Sequence, residues 1–202
     1  MDPLTGQPAP PSARESAVLL PLYPRDGALH ALFIKRTDRV GLHKGEIGCP
    51  GGRIEPPDAG PLAAALRETE EELGIPPAVV TPLGALPTVA TVVTSMLIHP
   101  FVGGLPGPPA LRPDPFEVAE TVEVPLAVLL DPASFHEEDW VLRGIRRRVF
   151  IYRYGPYDIW GATGRIVQQF LERLRAWPGR PAPPAWTLDD IAAALAHVTG
   201  GG

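Results

Sequence analysis

The chain has 202 residues, 45% of them hydrophobic, which suits one domain with a sizeable buried core. Its formal net charge of −5 argues against broad nucleic-acid binding, and its single cysteine excludes an internal disulfide and fits a reducing cytoplasm. No apolar stretch approaches membrane-spanning length and no charged-then-apolar leader opens the sequence, so a cytoplasmic protein with no membrane partner is expected.

Residues 1–14 are Pro-rich without apolar periodicity and read as a flexible tail ahead of a domain over 15–176. Residues 16–23 and 29–35 have strand character, and Asp26-Gly27 between them is a strong hairpin signal. A basic stretch follows: Lys35, Arg36, Arg39, His43 and Lys44. It suits either phosphate oxygens or plain solvation, and His43 is either a general acid or an exposed loop residue. Cys49 reads as a small core residue, because no base partner for a nucleophile is evident. Pro50 stiffens the entry to Gly51-Gly52, where the backbone is free to approach a site closely.

Residues 62–73 are strong helix formers, preceded by Gly60-Pro61 and stopped by Gly74. Leu62, Leu66, Thr69 and Leu73 form one largely apolar stripe, and Glu68, Glu71 and Glu72 fall on a different face. Carboxylates that close repel one another, and a hard cation such as magnesium would offset the repulsion; a solvated acidic face is the other reading. Arg67 is placed to orient one of these acids through a bidentate contact.

Residues 79–102 should supply further strands, 103–115 a Gly/Pro loop, 116–124 a strand and 125–130 a short helix. Residues 140–154 have strand character, with Arg146-Arg147-Arg148 either facing solvent, the favoured reading, or lining an anionic pocket. Residues 159–176 read as an amphipathic helix with Ile166, Phe170 and Leu174 on its apolar face and Ile159 and Trp160 anchored in the core. A Pro-rich linker at 177–186 leads to an appended helix over 187–202, with Asp190 three residues after Thr187. Leu188, Ile191, Leu195 and Val198 form its apolar stripe, a candidate homodimer surface. Strands, helix, strands, helix indicate α+β, or a sheet sandwiched by helices.

Arg67-Glu68-Thr69-Glu70-Glu71-Glu72-Leu73-Gly74-Ile75 resembles the end of the Nudix hydrolase signature, with Thr69 in an apolar slot. The front half departs: Asp58 stands where the signature has Glu, and the loop to Arg67 carries one extra residue, which leaves the role of Asp58 open. Arg36, Gly45, Pro50, Gly51 and Gly52 are in register with the extension that marks the coenzyme A diphosphatase subgroup. Gly41 replaces its second Arg and Cys49 its Phe. Tyr152 and residues 158–166 resemble that subgroup's closing strand and last core helix.

The resemblance implies a Nudix-type α/β/α sandwich with a mixed central sheet, and hydrolysis of a phosphoanhydride with Mg2+ or Mn2+. It implies Glu68 and Glu72 as metal ligands, Glu71 as a third ligand or water activator, and a Gly51 or Gly52 carbonyl as a further ligand. Arg67 would hold a Glu and not touch substrate, while Arg36, His43, Lys44, Gly51 and Gly52 would receive it. A non-helix carboxylate often serves as base in this family, and Glu117 and Glu120, after the Pro-rich stretch, are candidates among several acids there. Coenzyme A would give 3′,5′-ADP and 4′-phosphopantetheine. The rival substrates are ADP-ribose, NADH and dinucleoside polyphosphates, and the rival of another class is a non-catalytic nucleotide-binding module.

Overall fold

The computed structural model describes residues 14–38, 45–91, 96–142, 144–181 and 186–197. The expected hairpin forms: β1 (Arg14–Arg25) and β2 (Ala28–Arg36) run antiparallel around Asp26-Gly27. Both turn residues have positive φ, 52° at Asp26 and 79° at Gly27, as a tight two-residue turn of the primed type requires.

The two strands then part, and the chain fills the gap with β3 (Ile47–Gly48) and β4 (Gly51–Arg53). Ile47 pairs with Lys35 of β2, Gly51 pairs with Val18 of β1, and Leu19 N–H donates to the Pro50 carbonyl at 2.9 Å. This splitting of the sheet puts the glycine turn at its centre.

β5 (Thr81–Ala85), β6 (Val89–Ala90) and β7 (Met96–Gly104) arise from the Val-rich segment, and β7 includes Gly103 and Gly104, which read as loop in the sequence. β8 (Val118–Pro125) pairs with β2. Among the described residues these eight strands make one sheet in which β1 and β7 run parallel and the other neighbours antiparallel. The sheet is therefore mixed.

Helices cover both faces, so β1 and β2 are apolar on both sides. Leu19, Leu32 and Ile34 pack with Ala64, Ala65 and Leu73 of α1 (Pro61–Leu73). On the other face, Leu20, Ala31 and Phe33 share a core with Leu126 and Leu129 of α2 (Leu126–Leu130) and with Ile166, Phe170 and Leu174 of α3 (Gly161–Ala176).

The single strand segment expected over 140–154 is two strands, β9 (Phe135–Leu142) and β10 (Ile145–Tyr154), joined through Gly144 at φ 77°. A lone glycine in an Arg-rich run carries no turn dipeptide to mark the break. Arg146 and Arg148 are exposed and pair across the hairpin with Asp139 and Glu137, both at 3.7 Å. β11 (Tyr157–Ile159) completes this second sheet, so α3 begins at Gly161 and not at Ile159. Ile159 is buried as expected, but Trp160 is only half-buried and its ring lies against Trp140 at the surface.

α4 (Leu188–Ala196) is not an appendage: Ile191 and Ala194 are buried in the α3-side core, and the helix packs on β5 and α3. Its capping box forms, with Asp190 N–H donating to Thr187 Oγ1 at 3.2 Å and Thr187 N–H donating to the Asp190 carboxylate at 2.9 Å. Val198, the last residue of the expected stripe, lies outside the described residues. Among the described residues no helix is long and apolar enough to cross a membrane.

Candidate active site

α1 starts at Pro61, where a missing N–H is no loss, and ends at Gly74 in the left-handed conformation, its N–H donating to the Glu70 carbonyl at 2.8 Å. The helix lies on β1 and β4 through the small side chains Ala64 and Ala65, which allow close approach to the sheet. Thr69 is buried with its hydroxyl donating to the Ala65 carbonyl at 2.7 Å. Glu72 is buried on this same side, with only 2% exposure, whereas Leu62 and Leu66 are half-buried. The separation of an apolar stripe from an acidic face therefore fails at Glu72.

A buried carboxylate needs donors, and the glycine turn supplies one: Gly51 N–H donates to Glu72 Oε2 at 2.8 Å. Oε1 has no hydrogen-bond partner and faces Arg36 Nη1 at 3.7 Å. Burial pushes the Glu72 carboxyl up to about 8, Glu117 and Glu68 push the same way, and Gly51 and Arg36 oppose them. Glu68 is half-buried and also raised, by burial first, with Glu71 and Glu117 adding and Arg67 opposing. A Cβ on Gly52 would overlap the Glu68 carboxyl group, and one on Gly51, at φ 145°, would overlap the Ala17 carbonyl. Both glycines are required by close approach.

Arg67 ties the remaining acids together. Its Nε and Nη2 grip the two oxygens of Asp58 at 3.0 and 3.2 Å, its Nη1 reaches Glu68 at 3.1 Å and Glu71 at 3.0 Å, and Nη2 also donates to the Arg53 carbonyl at 3.0 Å. The bidentate contact expected with a Glu is thus made with Asp58. The Arg67 guanidinium holds the Asp58 carboxyl below its ordinary value, and Glu55 N–H, donating at 2.7 Å, adds to this. A turn over Glu55–Asp58 absorbs the extra loop residue, with Asp58 N–H bonded to the Glu55 carbonyl at 3.0 Å. Counting residues along the sequence could not show this, because a loop tolerates an insertion that a helix does not.

Glu117 comes from the loop before β8 and stands close enough to repel both Glu68 and Glu72. That loop is fastened to the end of β2: Thr37 donates its N–H to the Glu117 carbonyl at 3.0 Å and its hydroxyl to the Phe116 carbonyl at 2.6 Å. Glu120 is elsewhere, accepting from the Tyr157 hydroxyl and lying 3.9 Å from Lys35. The structure thus separates two acids that the sequence left equivalent.

Among the described residues, no three His, Cys, Asp or Glu side chains converge as a ready-made cation cage. Arg67 draws on Glu68 and Glu71, the latter 58% exposed, while Glu72 faces Gly51 and Arg36. The donor set nevertheless fits a hard divalent cation. Glu72 Oε1 is a buried, unpartnered carboxylate oxygen, and Glu68 and Glu117 crowd it with like charge.

A family model, NUDIX domain, matches residues 13–143. The chain belongs to the Nudix family. It is 36% identical over 171 residues to the uncharacterized Nudix hydrolase NudL of Shigella flexneri, covering 84% of this chain and 87% of that protein. The Escherichia coli K12 protein of the same description is 36% identical over 167 residues, with 82% and 85% covered. A MutT/nudix family protein from Enterococcus faecalis shares the fold, with a TM-score of 0.56 at 13% identity over 95% of this chain and 71% of that one. The chain is accordingly a Nudix hydrolase, a pyrophosphohydrolase by family.

Within this Nudix site the basic stretch divides. Arg36 faces the acids, Lys35 faces Tyr157 and Glu120, and Arg39, Gly41, His43 and Lys44 lie outside the described residues. Cys49 is buried and burial, with Glu72 adding, pushes its thiol up to about 12, which keeps it an inert core residue. A feature that sequence reading missed lies on the other side of β2. It is a cavity of about 390 Å³ with Lys35, Glu46, Tyr157, Asp158 and Trp160 in its wall. Trp160, read as a core anchor, was the available signal.

Proposed function

We propose that this hydrolase cuts the diphosphate of coenzyme A or its acyl derivatives, releasing 3′,5′-ADP and 4′-phosphopantetheine or acyl-phosphopantetheine. One observation carries the reading. Arg36, the residue in register with the coenzyme A diphosphatase extension, lies 3.7 Å from the buried Glu72, next to the glycine turn that the same extension contains. A guanidinium there is placed to receive a non-bridging phosphate oxygen at the acid site.

Glu68 and Glu72 would hold Mg2+ or Mn2+, with Glu71 and the Gly52 carbonyl as further ligands. Such a cation, when bound, polarises phosphoryl oxygens and lowers the pKa of its water. Glu117 accepts the proton of the attacking water. The water oxygen forms a bond to one phosphorus, the bridging P–O bond breaks, and the other phosphate leaves with the electron pair. Positioning and charge neutralisation dominate such a reaction. Arg67 does not touch substrate; its contacts to Asp58, Glu68 and Glu71 keep the acids in place.

Gly41 and Cys49 depart from the subgroup pattern and favour a second reading, another nucleoside diphosphate derivative such as ADP-ribose, NADH or a dinucleoside polyphosphate. Incubation of the purified protein with coenzyme A and magnesium or manganese, followed by chromatography, separates the two. Efficient appearance of 3′,5′-ADP with 4′-phosphopantetheine is the expected result. An intact coenzyme A pool beside cleaved ADP-ribose or dinucleotide would transfer the assignment to the second reading. Binding without cleavage of any of them would make the chain a nucleotide-binding module.

A further inference from the structure

A helix leaves its last carbonyls without partners in the helix, and at the end of α1 the loop that carries Glu117 takes up two of them. Gly74 stops α1 in the left-handed conformation. Just beyond this stop, Asp114 N–H donates to the Glu72 carbonyl at 2.9 Å and Arg112 N–H donates to the Leu73 carbonyl at 2.8 Å. The segment lies close against the helix end, because a Cβ on Gly74 would come within 2.9 Å of Arg112 Cβ. Leu111 packs on the core that α1 shares with the sheet.

From this anchor the chain makes a tight turn. Asp and Pro suit its first two positions, filled here by Asp114 and Pro115. The Asp114 carbonyl accepts from Glu117 N–H at 3.2 Å and from Val118 N–H at 2.8 Å, and Asp114 Oδ1 accepts from Phe116 N–H at 2.9 Å. Thr37, at the end of β2, meets the two remaining groups: its N–H donates to the Glu117 carbonyl and its hydroxyl to the Phe116 carbonyl. Asp114 and Thr37 therefore bond all four backbone polar groups of Phe116 and Glu117. Packing does not explain this order, since Phe116 is 58% exposed. Glu72 enters the arrangement twice, with its carboxylate in the acid site and its carbonyl under the turn.

We propose that Asp114 and Thr37 are positioning residues: together they clasp Phe116 and Glu117 between α1 and β2, and so hold the Glu117 carboxylate beside Glu68 and Glu72. The inference rests on the reading of Glu117 as the base. Asp114→Ala removes the bond to Phe116 N–H, while Asp114→Asn keeps an oxygen there. With coenzyme A, or whichever nucleoside diphosphate derivative is cleaved, Asp114→Ala should lower kcat roughly ten-fold and leave KM unchanged, because a base acts only in the transition state. Asp114→Asn should restore most of the loss. In a Glu117→Gln background Asp114→Ala should cost nothing further. An equal loss in both backgrounds, a raised KM at unchanged kcat, or an Asn variant as poor as Ala would overturn the positioning role. Thr37→Val should behave as Asp114→Ala does, and it decides the matter if Asp114→Ala does not fold. A fully active Asp114→Ala beside a crippled Glu117→Gln would remove the clasp and leave the base, whereas a fully active Glu117→Gln would remove the base reading itself. Amide exchange read by NMR on the metal-free protein needs no substrate. The Phe116 and Glu117 amides should exchange at least about ten-fold more slowly than in an unstructured chain, and Asp114→Ala should release that of Phe116 without altering those of α1. Rapid exchange of both in the unaltered protein would overturn the clasp. If nothing is hydrolysed, protected amides that Asp114→Ala releases keep the clasp while the hydrolase reading falls.

Discussion

At the end of β2 two neighbouring cations turn to opposite sides of the sheet, and the sides handle charge differently. On the α1 side, Arg36 and Arg67 face Asp58, Glu68, Glu71 and Glu72 in a partly buried network where each guanidinium has a defined partner. On the β11 side, Lys35 lies 5.9 Å over the Tyr157 ring and 3.9 Å from Glu120, beside an open cavity. The first side spends its order on holding repelling acids in one place, which catalysis requires. The acids all lie within the stretch matched by the family model, whereas the aromatic wall lies outside it.

The sharpest way to break this comparison is to remove charge on the α1 side only. Glu72→Gln keeps an oxygen to accept the Gly51 N–H, so the fold should persist while kcat falls on the order of 100- to 1,000-fold. Full activity at saturating magnesium, with an unchanged circular dichroism spectrum, would sink the metal assignment. Glu117→Gln should cost on the order of 100-fold or more in kcat, and Glu120→Gln far less, because Glu120 contacts Tyr157 and Lys35 instead of the acids. Comparable losses in both variants would erase the distinction between the sides.

Gly52→Ala sharpens the same point without touching charge. The added methyl group displaces the Glu68 carboxylate, and a misplacement of about 1 Å should cost on the order of 100-fold in kcat/KM. Asp58→Asn loosens the grip on Arg67 and should lower activity roughly ten-fold, with weaker apparent metal affinity in a manganese titration. An unaltered manganese titration would leave Asp58 a purely local loop contact.

The smallest effect is on stability. Glu72 titrates near 8 in the fold against an ordinary value of 4.5. A carboxyl raised by folding stabilises the fold while protonated, fully so below 4.5, and that contribution is lost as pH rises through about 8. Metal-free wild type in chelator should therefore lose stability, on the order of a few kcal/mol, across that window, and Glu72→Gln should lose less. Parallel melting curves for the two proteins from acid to mildly basic pH would show that the carboxylate is not buried in solution.

Local chemistry made much of this legible in the sequence. Asp26-Gly27 carries the backbone preference that its hairpin uses, Thr187 and Asp190 are a capping pair at their proper spacing, and the acids of α1 fall at fixed helical offsets. What escaped depends on contacts across the chain. Glu72 reads as a surface acid until β4 brings Gly51 N–H to it, and Asp58 reads as a mismatch until the turn at Glu55 absorbs the extra residue. Trp160 has the composition of a core anchor, and only the pairing of β11 with β10 leaves it at the lip of a cavity. α4 has the stripe of an association helix, but β5 and α3 already occupy that stripe.

The parallel alignment of β1 with β7 bears on how the protein reaches this state. Arg14 meets Met96 and Leu22 meets Gly104, so the central ladder closes only when distant parts of the chain find each other. β4, which presents Gly51 to Glu72, is itself zipped to Ser16–Val18 of that same β1. Pairings of such long sequence separation form slowly, because the loop must be closed before any contact rewards it. A nascent chain released before β7 emerges would therefore have the whole signature helix but no ordered floor beneath it, and hydrolytic competence should appear late in refolding, together with the β1–β7 ladder and well after helical signal.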